Sequence, residues 1–226
     1  GVTYLRAALA TSFFNSSWVI YSPSFSAKLY TMKKIILATG NLGKVRELNA
    51  MLDGHYTVVS QKELKVIEVP ETGSSFIENA LIKARNAASQ SQLPALADDS
   101  GLEVEVLDGE PGIYSARYAG ENASDEENII KLLKAMESHT NRKANFCCAM
   151  VFVRDAQDSD PVIIERRWHG EILKTPIGKN GFGYDPIFYL KEYDCSTAQL
   201  NPETKNRISH RGLALRDLLA ELSLIE

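Results

Sequence analysis

Cysteine is scarce in this chain, which has three, at Cys147, Cys148 and Cys195. They show no metal-ligand spacing, which argues against a zinc site. Cys147 and Cys148 are adjacent within an apparent strand, so their side chains are expected on opposite faces of a sheet. We interpret all three as reduced thiols, as in the cytosol, and we expect packing to be their main role.

The chain also lacks an excess of positive charge. The net charge is -4, and nonspecific phosphate binding needs a basic surface, so neither a nucleic-acid polymer nor an anionic membrane is an expected partner. A small polyphosphate needs only a local basic pocket. No Ser-His-Asp or Cys-His arrangement for nucleophilic catalysis is legible, and neither is a His/Cys metal cluster.

Residues 1–31 differ in composition from the rest of the chain. They include two basic and no acidic residues, their apolar pieces are too short to span a membrane, and they match a signal peptide poorly. Met32, followed by Lys33 and Lys34, has the form of a natural start. We interpret residues 1–31 as an N-terminal extension, derived from expression or from a start codon assigned too early, with an ordinary packed arm as the alternative. Residues 32–226 are expected to form one domain.

The sequence over residues 34–52 predicts a strand, a loop and a helix. An apolar, β-branched run leads into a turn with Gly40 and Gly43, and apolar residues at helical spacing follow. Such a loop can hold phosphate, because glycine lets the backbone approach an oxyanion, the helix start offers free N–H groups, and Lys44 adds a positive charge. It is not a P-loop, since Val45 stands where that pattern needs Ser or Thr. An ordinary turn between strand and helix is the alternative.

Strand and helix patterns alternate early in the chain, and long paired strands come in the middle. Strands are expected at 56–59, 102–106, 144–153 and 162–173, with a strand-like pattern again at 113–118. Helices are expected after capping boxes at Ser75 and Ser124, after Asn201, and after residues 209–212. The pattern predicts an α/β fold with a mixed sheet and flanking helices.

Two adjacent carboxylates, Asp98 and Asp99, end a short apolar segment and precede Ser100 and Gly101, which favour a turn. Unpaired carboxylates are costly to bury, so both are expected to face water or to hold a cation. A hard cation such as Mg²⁺ prefers carboxylate oxygens, and Glu71 is a third candidate ligand. A solvated turn is the alternative.

The segment Phe182-Gly183-Tyr184-Asp185 offers aromatic faces beside flexible backbone and a carboxylate, which suits recognition of a base. A packed aromatic turn is the alternative. Lys205, His210 and Arg211 concentrate donors before the last helix, although a lone histidine is usually structural and the two cations could be surface charges.

Seven motifs occur together, in this order: Thr39-Gly40-Asn41-x-x-Lys44, Glu71-Thr72-Gly73, Phe76-x-Glu78-Asn79-Ala80-x-x-Lys83-Ala84, Ala97-Asp98-Asp99-Ser100-Gly101-Leu102, Gly112-x-x-Ser115-Ala116-Arg117-Tyr118, Gly181-Phe182-Gly183-Tyr184-Asp185-Pro186 and Ser209-His210-Arg211. The set resembles the inosine triphosphate pyrophosphatase family, whose members hydrolyse non-standard purine nucleoside triphosphates. The resemblance runs from Met32 to about Leu222 and leaves only the N-terminal extension unexplained.

The resemblance implies Mg²⁺-dependent cleavage of ITP, dITP or XTP between the α- and β-phosphates, giving the monophosphate and pyrophosphate and so cleansing the nucleotide pool. It implies a cytoplasmic homodimer and a two-lobed fold with a nucleotide-binding cleft between the lobes. Asp99 would be the catalytic proton acceptor, Glu71 and Asp99 the metal ligands, and Lys83 would reach the phosphates. The substrate-binding residues implied are Thr39, Gly40, Asn41, Leu42, Gly43, Lys44, Ser100, Phe182, Gly183, Tyr184, Asp185, Lys205, His210 and Arg211.

The residue types fit this chemistry. Water attacking a phosphorus among negative oxygens needs charge neutralisation and a carboxylate to orient it. Cationic donors such as Lys205 or Arg211 would favour a 6-oxo purine over adenine. Two alternatives stay open: a pyrophosphatase for other modified nucleotides, and a non-catalytic purine-nucleotide sensor. The clustered carboxylates argue against the sensor, because a binder of anions gains nothing from them.

Overall fold

A seven-stranded mixed sheet runs through residues 33–225, the part of the chain that the computed structural model describes. The interpretation of residues 1–31 as an extension lies outside this part. The strands are β1 (Lys34–Leu37), β2 (Thr57–Ser60), β3 (Ala95–Val104), β4 (Lys143–Val153), β5 (Val162–Ile172), β6 (Phe188–Leu190) and β7 (Cys195–Ser196). Their order in the sheet is β2-β1-β3-β4-β5-β6-β7. The strand β1 is parallel to β2 and β3, and all later pairs are antiparallel.

Five α-helices accompany the sheet in the described residues: α1 (Leu42–Leu52), α2 (Phe76–Ser91), α3 (Asp125–Ala135), α4 (Pro202–Ile208) and α5 (His210–Ile225). The predicted capping box at Ser124 is confirmed with both of its hydrogen bonds, and Asn201 caps α4. At Ser75 only half of the predicted box forms, because the Glu78 carboxylate accepts from Ser74 instead. Within residues 33–225 none of the helices has the length and apolarity needed to cross a membrane.

The helices bury apolar side chains on both faces of the sheet. Alternate residues of β1 face opposite ways, so Ile35 packs in a cluster with α1 and α5, whereas Ile36 packs against the alanines of α2. A separate cluster gathers α3, β6 and the far ends of β3, β4 and β5. The predicted α/β class with flanking helices is therefore confirmed. The three long strands pass through both lobes, of which one is built around α1, α2 and α5 and the other around α3 and β6.

Adjacent cysteines in β4 obey the same alternation. Cys148 lies in the α1/α5 cluster and Cys147 on the other face beside Phe76, and both thiols are buried and free. Burial, with Glu165 adding to it, raises the pKa of Cys147 to about 12. The packing role predicted for these two residues is confirmed.

Four details of the predicted order are wrong. The strand β3 runs without interruption through the segment predicted to be a turn at Ser100 and Gly101, because β4 pairs with it along its whole length. Residues 112–117 form a 3-10 helix rather than a strand. The last helix begins at His210, before the predicted start. The short strands β6 and β7 were not predicted at all.

Candidate active site

A cavity of about 660 Å³ opens where the end of β1, the middle of β3 and the loops of both lobes meet. It brings together most of the residues named from the sequence: Thr39, Gly40, Asn41, Lys44, Glu71, Asp99, Ser100, Phe182, Gly183, Tyr184, Asp185, Lys205, His210 and Arg211. Two predicted residues are not in its wall. The side chain of Leu42 is 69% exposed, and Gly43 packs beneath the ring of Phe182. The roles of all these residues stay predictions.

The loop between β1 and α1 satisfies much of its own hydrogen bonding. The Asn41 side chain accepts from the N–H groups of Gly43 and Lys44, at 2.8 and 3.1 Å, and Thr39 Oγ1 accepts from Asn41 N. Asparagine is a strong helix N-cap, so it takes the groups that the sequence predicted to be free for phosphate. That detail of the prediction is wrong for Gly43 and Lys44, and the positive charge that this loop offers comes from the Lys44 side chain.

Asp98 and Asp99 point to opposite faces of the sheet because they are consecutive residues of β3. Asp98 is fully buried and pairs with Lys44 at 3.0 Å and with Arg211 at 3.2 Å. The expectation that it would face water or hold a cation supplied from solution is wrong, because α1 and α5 each bring a basic side chain to it.

Asp99 lies at the cavity wall on the α2 side, with 6% of its surface exposed. Lys83 Nζ lies 2.9 Å from Asp99 Oδ1 and 2.7 Å from Glu71 Oε1, so one ammonium joins the two carboxylates. Asn79 donates to Asp99 Oδ2 at 3.3 Å, and Arg117 lies 3.5 Å from Glu71. Sequence reasoning gave Asn79 and Arg117 no role, although both stand inside the quoted motifs.

The pKa values of the two aspartates are shifted in opposite directions. Burial would raise the pKa of Asp98, but Lys44 and Arg211 outweigh burial and hold this pKa far below the usual range. Burial raises the pKa of Asp99, and the opposing charges of Lys83 and Lys44 only partly offset it. Divergent pKa values in neighbouring acids mark different roles: Asp98 is a fixed anion, whereas Asp99 is suited to accept a proton.

Further along the wall, ion pairs link α1, α4 and α5. Glu47 lies 2.5 Å from Arg211 Nη1 and 2.9 Å from Lys205 Nζ, and Lys205 also lies 2.5 Å from Asp185. Arg211 donates to Ser100 Oγ at 2.8 Å. Glu47 was missed in the sequence, where its position one helical turn after Lys44 was the available signal.

Aromatic side chains close the other end of the cavity. The Phe182 ring lies 4.8 Å from Lys205 Nζ and 5.6 Å from the Arg211 guanidinium. His210 stacks on Phe146 at 4.9 Å, and its Nδ1 has no hydrogen-bond partner among residues 33–225. Tyr184 is different, because its hydroxyl donates to the Ser115 carbonyl and anchors the loop.

The donor set fits a hard cation held jointly with a ligand. In residues 33–225 there is no group of three or more His, Cys, Asp or Glu side chains that could hold a metal by themselves. Mg²⁺ commonly uses one or two carboxylates and completes its shell with phosphates and water. Glu71 and Asp99 supply two carboxylates, and the Lys83 ammonium between them shows that a cation is accommodated there.

Known proteins are similar to this chain in sequence. The model of the Ham1 family matches residues 35–221. A dITP/XTP pyrophosphatase of Vibrio parahaemolyticus is 56% identical over 195 residues, which cover 85% of this chain and 98% of that protein. A dITP/XTP pyrophosphatase of Vibrio cholerae is 55% identical over 190 residues, covering 83% of this chain and 95% of that protein.

Solved structures of Ham1 proteins have a similar fold. A HAM1 protein from Coxiella burnetii superposes with a TM-score of 0.79 at 47% identity, covering 85% of this chain and 99% of that one. The Ham1 protein of Staphylococcus aureus has a TM-score of 0.76 at 44% identity, covering 86% and 100% of the two chains. With a family model over most of its length and relatives above half identity, this chain belongs to the Ham1 family.

Proposed function

We propose that this chain hydrolyses non-standard purine nucleoside triphosphates, namely ITP, dITP and XTP, to the monophosphate and pyrophosphate. The observation that carries the proposal is the arrangement of Asp99, Glu71 and Lys44 around one cavity. The names of the relatives in Vibrio, dITP/XTP pyrophosphatases, support the substrate class.

In this mechanism Asp99 orients a water molecule and accepts its proton. The water oxygen bonds to a phosphorus of the α–β anhydride, the bond from that phosphorus to the bridging oxygen breaks, and pyrophosphate and the monophosphate separate. Lys44 lines the cavity and is 9% exposed, so it offsets phosphate charge where water screens it little.

Mg²⁺ is the proposed cofactor, and Glu71 and Asp99 are the residues that would hold it. When bound, it would neutralise the phosphate oxygens and polarise the reacting phosphorus. Lys83 supplies a positive charge between the same two carboxylates.

The residues that select the base lie at the aromatic end of the cavity, away from Glu71 and Asp99. The Phe182 ring offers a stacking face, the cations of Lys205 and Arg211 lie 4.8 and 5.6 Å from it, and His210 lines the same cavity. A 6-oxo group accepts a hydrogen bond where adenine presents an amino donor, so these donors favour hypoxanthine and xanthine. A buried donor left unpaired by the wrong base gives strong discrimination.

The proposed working form is a homodimer in the cytoplasm. The free thiols at Cys147, Cys148 and Cys195 are compatible with a reducing compartment. Analytical ultracentrifugation of the purified chain tests the dimer.

One assay tests the function: pyrophosphate release from ITP, dITP, XTP, GTP and ATP, with Mg²⁺ or with EDTA. We expect release from the first three in Mg²⁺, little from GTP or ATP, and none in EDTA. Asp99→Asn is expected to lose nearly all turnover while it stays folded. Tight binding of ITP without pyrophosphate formation in Mg²⁺ would instead identify a nucleotide sensor, and hydrolysis of modified pyrimidine nucleotides in preference to ITP would redirect the substrate class.

A further inference from the structure

Asn79 is a polar side chain with no exposed surface, set in the second turn of α2. Both of its side-chain hydrogen bonds leave the helix. Its Oδ1 accepts from the backbone N–H of Gly73 at 2.8 Å, and its Nδ2 donates to Asp99 Oδ2 at 3.3 Å. A buried amide with both ends engaged is costly to remove, because each partner would lose its hydrogen bond.

The direction of this amide is determined by its partners. A backbone N–H can only donate, so the amide oxygen faces Gly73 and the NH₂ group faces the carboxylate. Glycine at position 73 makes the contact possible. A Cβ there would lie 2.7 Å from Asn79 Oδ1 and 2.9 Å from Asn79 N, which is too close for any side chain.

Lys83 lies one helical turn after Asn79, on the same face of α2. It holds the other carboxylate oxygen of Asp99 and also the Glu71 carboxylate. Asn79 and Lys83 therefore make the same two kinds of contact. Each contacts one oxygen of Asp99, and each ties down the segment of residues 71–73 that carries Glu71.

We propose that Asn79 is a positioning residue for the hydrolysis: it fixes the rotation of the Asp99 carboxylate and its distance from Glu71, and it does so without touching the substrate. The inference rests on the proposed function, in which Asp99 is the proton acceptor. Lys83 alone would leave the carboxylate free to turn about its bonded oxygen, and Asn79 removes that freedom. Partners that orient a reactive carboxylate typically contribute 10- to 100-fold in activity.

Two variants remove the orienting bond, and only one of them keeps the tie to the loop. Asn79→Asp keeps an oxygen that accepts from Gly73 N but replaces the donor that faces Asp99. Asn79→Ser removes the same donor without adding a charge, and it also removes the acceptor for Gly73 N. The matched control is Gln90→Glu, because Gln90 also lies on α2, accepts from Ile67 N at 2.9 Å and donates to Ile67 O at 2.8 Å, but on the exposed side. It is not among the residues of the cavity wall.

For both Asn79 variants we expect kcat for ITP to fall about 10- to 100-fold, with KM changed by less than about twofold, since Asn79 acts on chemistry rather than on substrate binding. Gln90→Glu is expected to keep the wild-type kcat. Thermal unfolding accompanies each measurement, and Asn79→Ser decides alone if Asn79→Asp does not fold.

The inference is overturned if folded Asn79→Ser keeps kcat within about twofold of the wild type, or if KM rises as steeply as kcat falls. It is also overturned if Gln90→Glu loses as much kcat, because a general loosening of the loop would then suffice. Wild-type turnover of ITP and its loss in Asp99→Asn are measured alongside. If the wild type releases no pyrophosphate, the proposed function has failed, whereas an unaffected Asn79 variant beside an active wild type refutes only the positioning role.

Discussion

Replacing Asp98 by Asn is expected to destabilise the fold far more than the same change at Asp99. Asp98 is fully buried, and its carboxylate pairs with both Lys44 and Arg211. Arg211 keeps Glu47 and Ser100 after the change. Lys44 keeps its contact to the backbone carbonyl of residue 98 at 3.5 Å but loses the negative charge that faced it at 3.0 Å.

The magnitude follows from this loss of a partner. Removing one member of a buried ion pair costs about 3–5 kcal/mol, because the remaining charge stays buried without compensation. For a chain of this length that corresponds to a fall in Tm of roughly 6–20 °C. The pKa of Asp98 is lowered in the fold, so its contribution is fully present above its ordinary pKa of 3.8 and is lost only as pH falls through the lower folded value. The effect is therefore expected to be constant from pH 5 to pH 8.

The ionised carboxylate of Asp99 lowers the stability of the fold, whereas that of Asp98 raises it. Its pKa is raised by burial, so the ionised form is less favourable in the folded chain than in the unfolded chain, and that penalty is fully present above the folded pKa. Asn at this position removes the penalty, and Lys83 still has Glu71 as its partner. We expect Asp99→Asn to be at least as stable as the wild type at neutral pH, and nearly inactive.

Urea unfolding of the wild type and both variants at pH 7.5, followed by circular dichroism, measures the free energies of unfolding. Pyrophosphate release from ITP is measured on the same preparations. If Asp98→Asn loses no more stability than Asp99→Asn, then the opposite environments on the two faces of β3 do not give the two aspartates different effects on stability.

Two further predictions concern the aromatic end of the cavity. Gly43→Ala places a Cβ 2.5 Å from Cδ1 of Phe182, so the ring must move; we expect a loss of about 1–3 kcal/mol in thermal unfolding and a higher KM for ITP. A Gly43→Ala variant with wild-type stability and KM would show that this ring moves freely. His210 is neutral in the fold, because burial, followed by the charges of Arg211 and Lys205, lowers its pKa well below 6.5. The unfolded chain therefore binds a proton that the folded chain does not as pH falls below 6.5, and wild-type stability should drop relative to His210→Phe by up to about 1.36 kcal/mol per pH unit. Urea unfolding at pH 5.0, 5.5 and 7.5 measures that difference, and a constant difference would contradict the assignment.

Features that depend on neighbouring residues were predicted well. The capping box at Ser124 needs only Glu127, three residues later, and both of its hydrogen bonds form. The apolar run in β4 is long enough to predict a central strand, and its residues are almost all buried. The strands β6 and β7 have three and two residues, too few for a period to be recognised.

Asp98 shows why the rest could not be predicted. The partner that makes its burial tolerable, Arg211, is 113 residues away in the chain. Without that contact a pair of aspartates before Ser100 and Gly101 has the composition of a turn. The pairing of Arg211 with Glu47 spans 164 residues, so the spacing of Glu47 from Lys44 on one helix could not identify its partner. The motifs indicated which residues line the cavity, but the role of each residue depends on the face of the sheet on which its side chain lies.

The ion pairs of the cavity wall also bear on how a substrate arrives. Three cations alternate there with three carboxylates, in the order Lys44, Asp98, Arg211, Glu47, Lys205 and Asp185, of which Asp98 and Glu47 do not line the cavity themselves. Their formal charges cancel, so this row exerts little long-range pull on a polyanion, and diffusional encounter with it gains little from electrostatic steering. Added salt then has little attraction to screen. Under the proposed function, this neutral row matches a triphosphate already complexed with a divalent cation better than it matches the free tetra-anion.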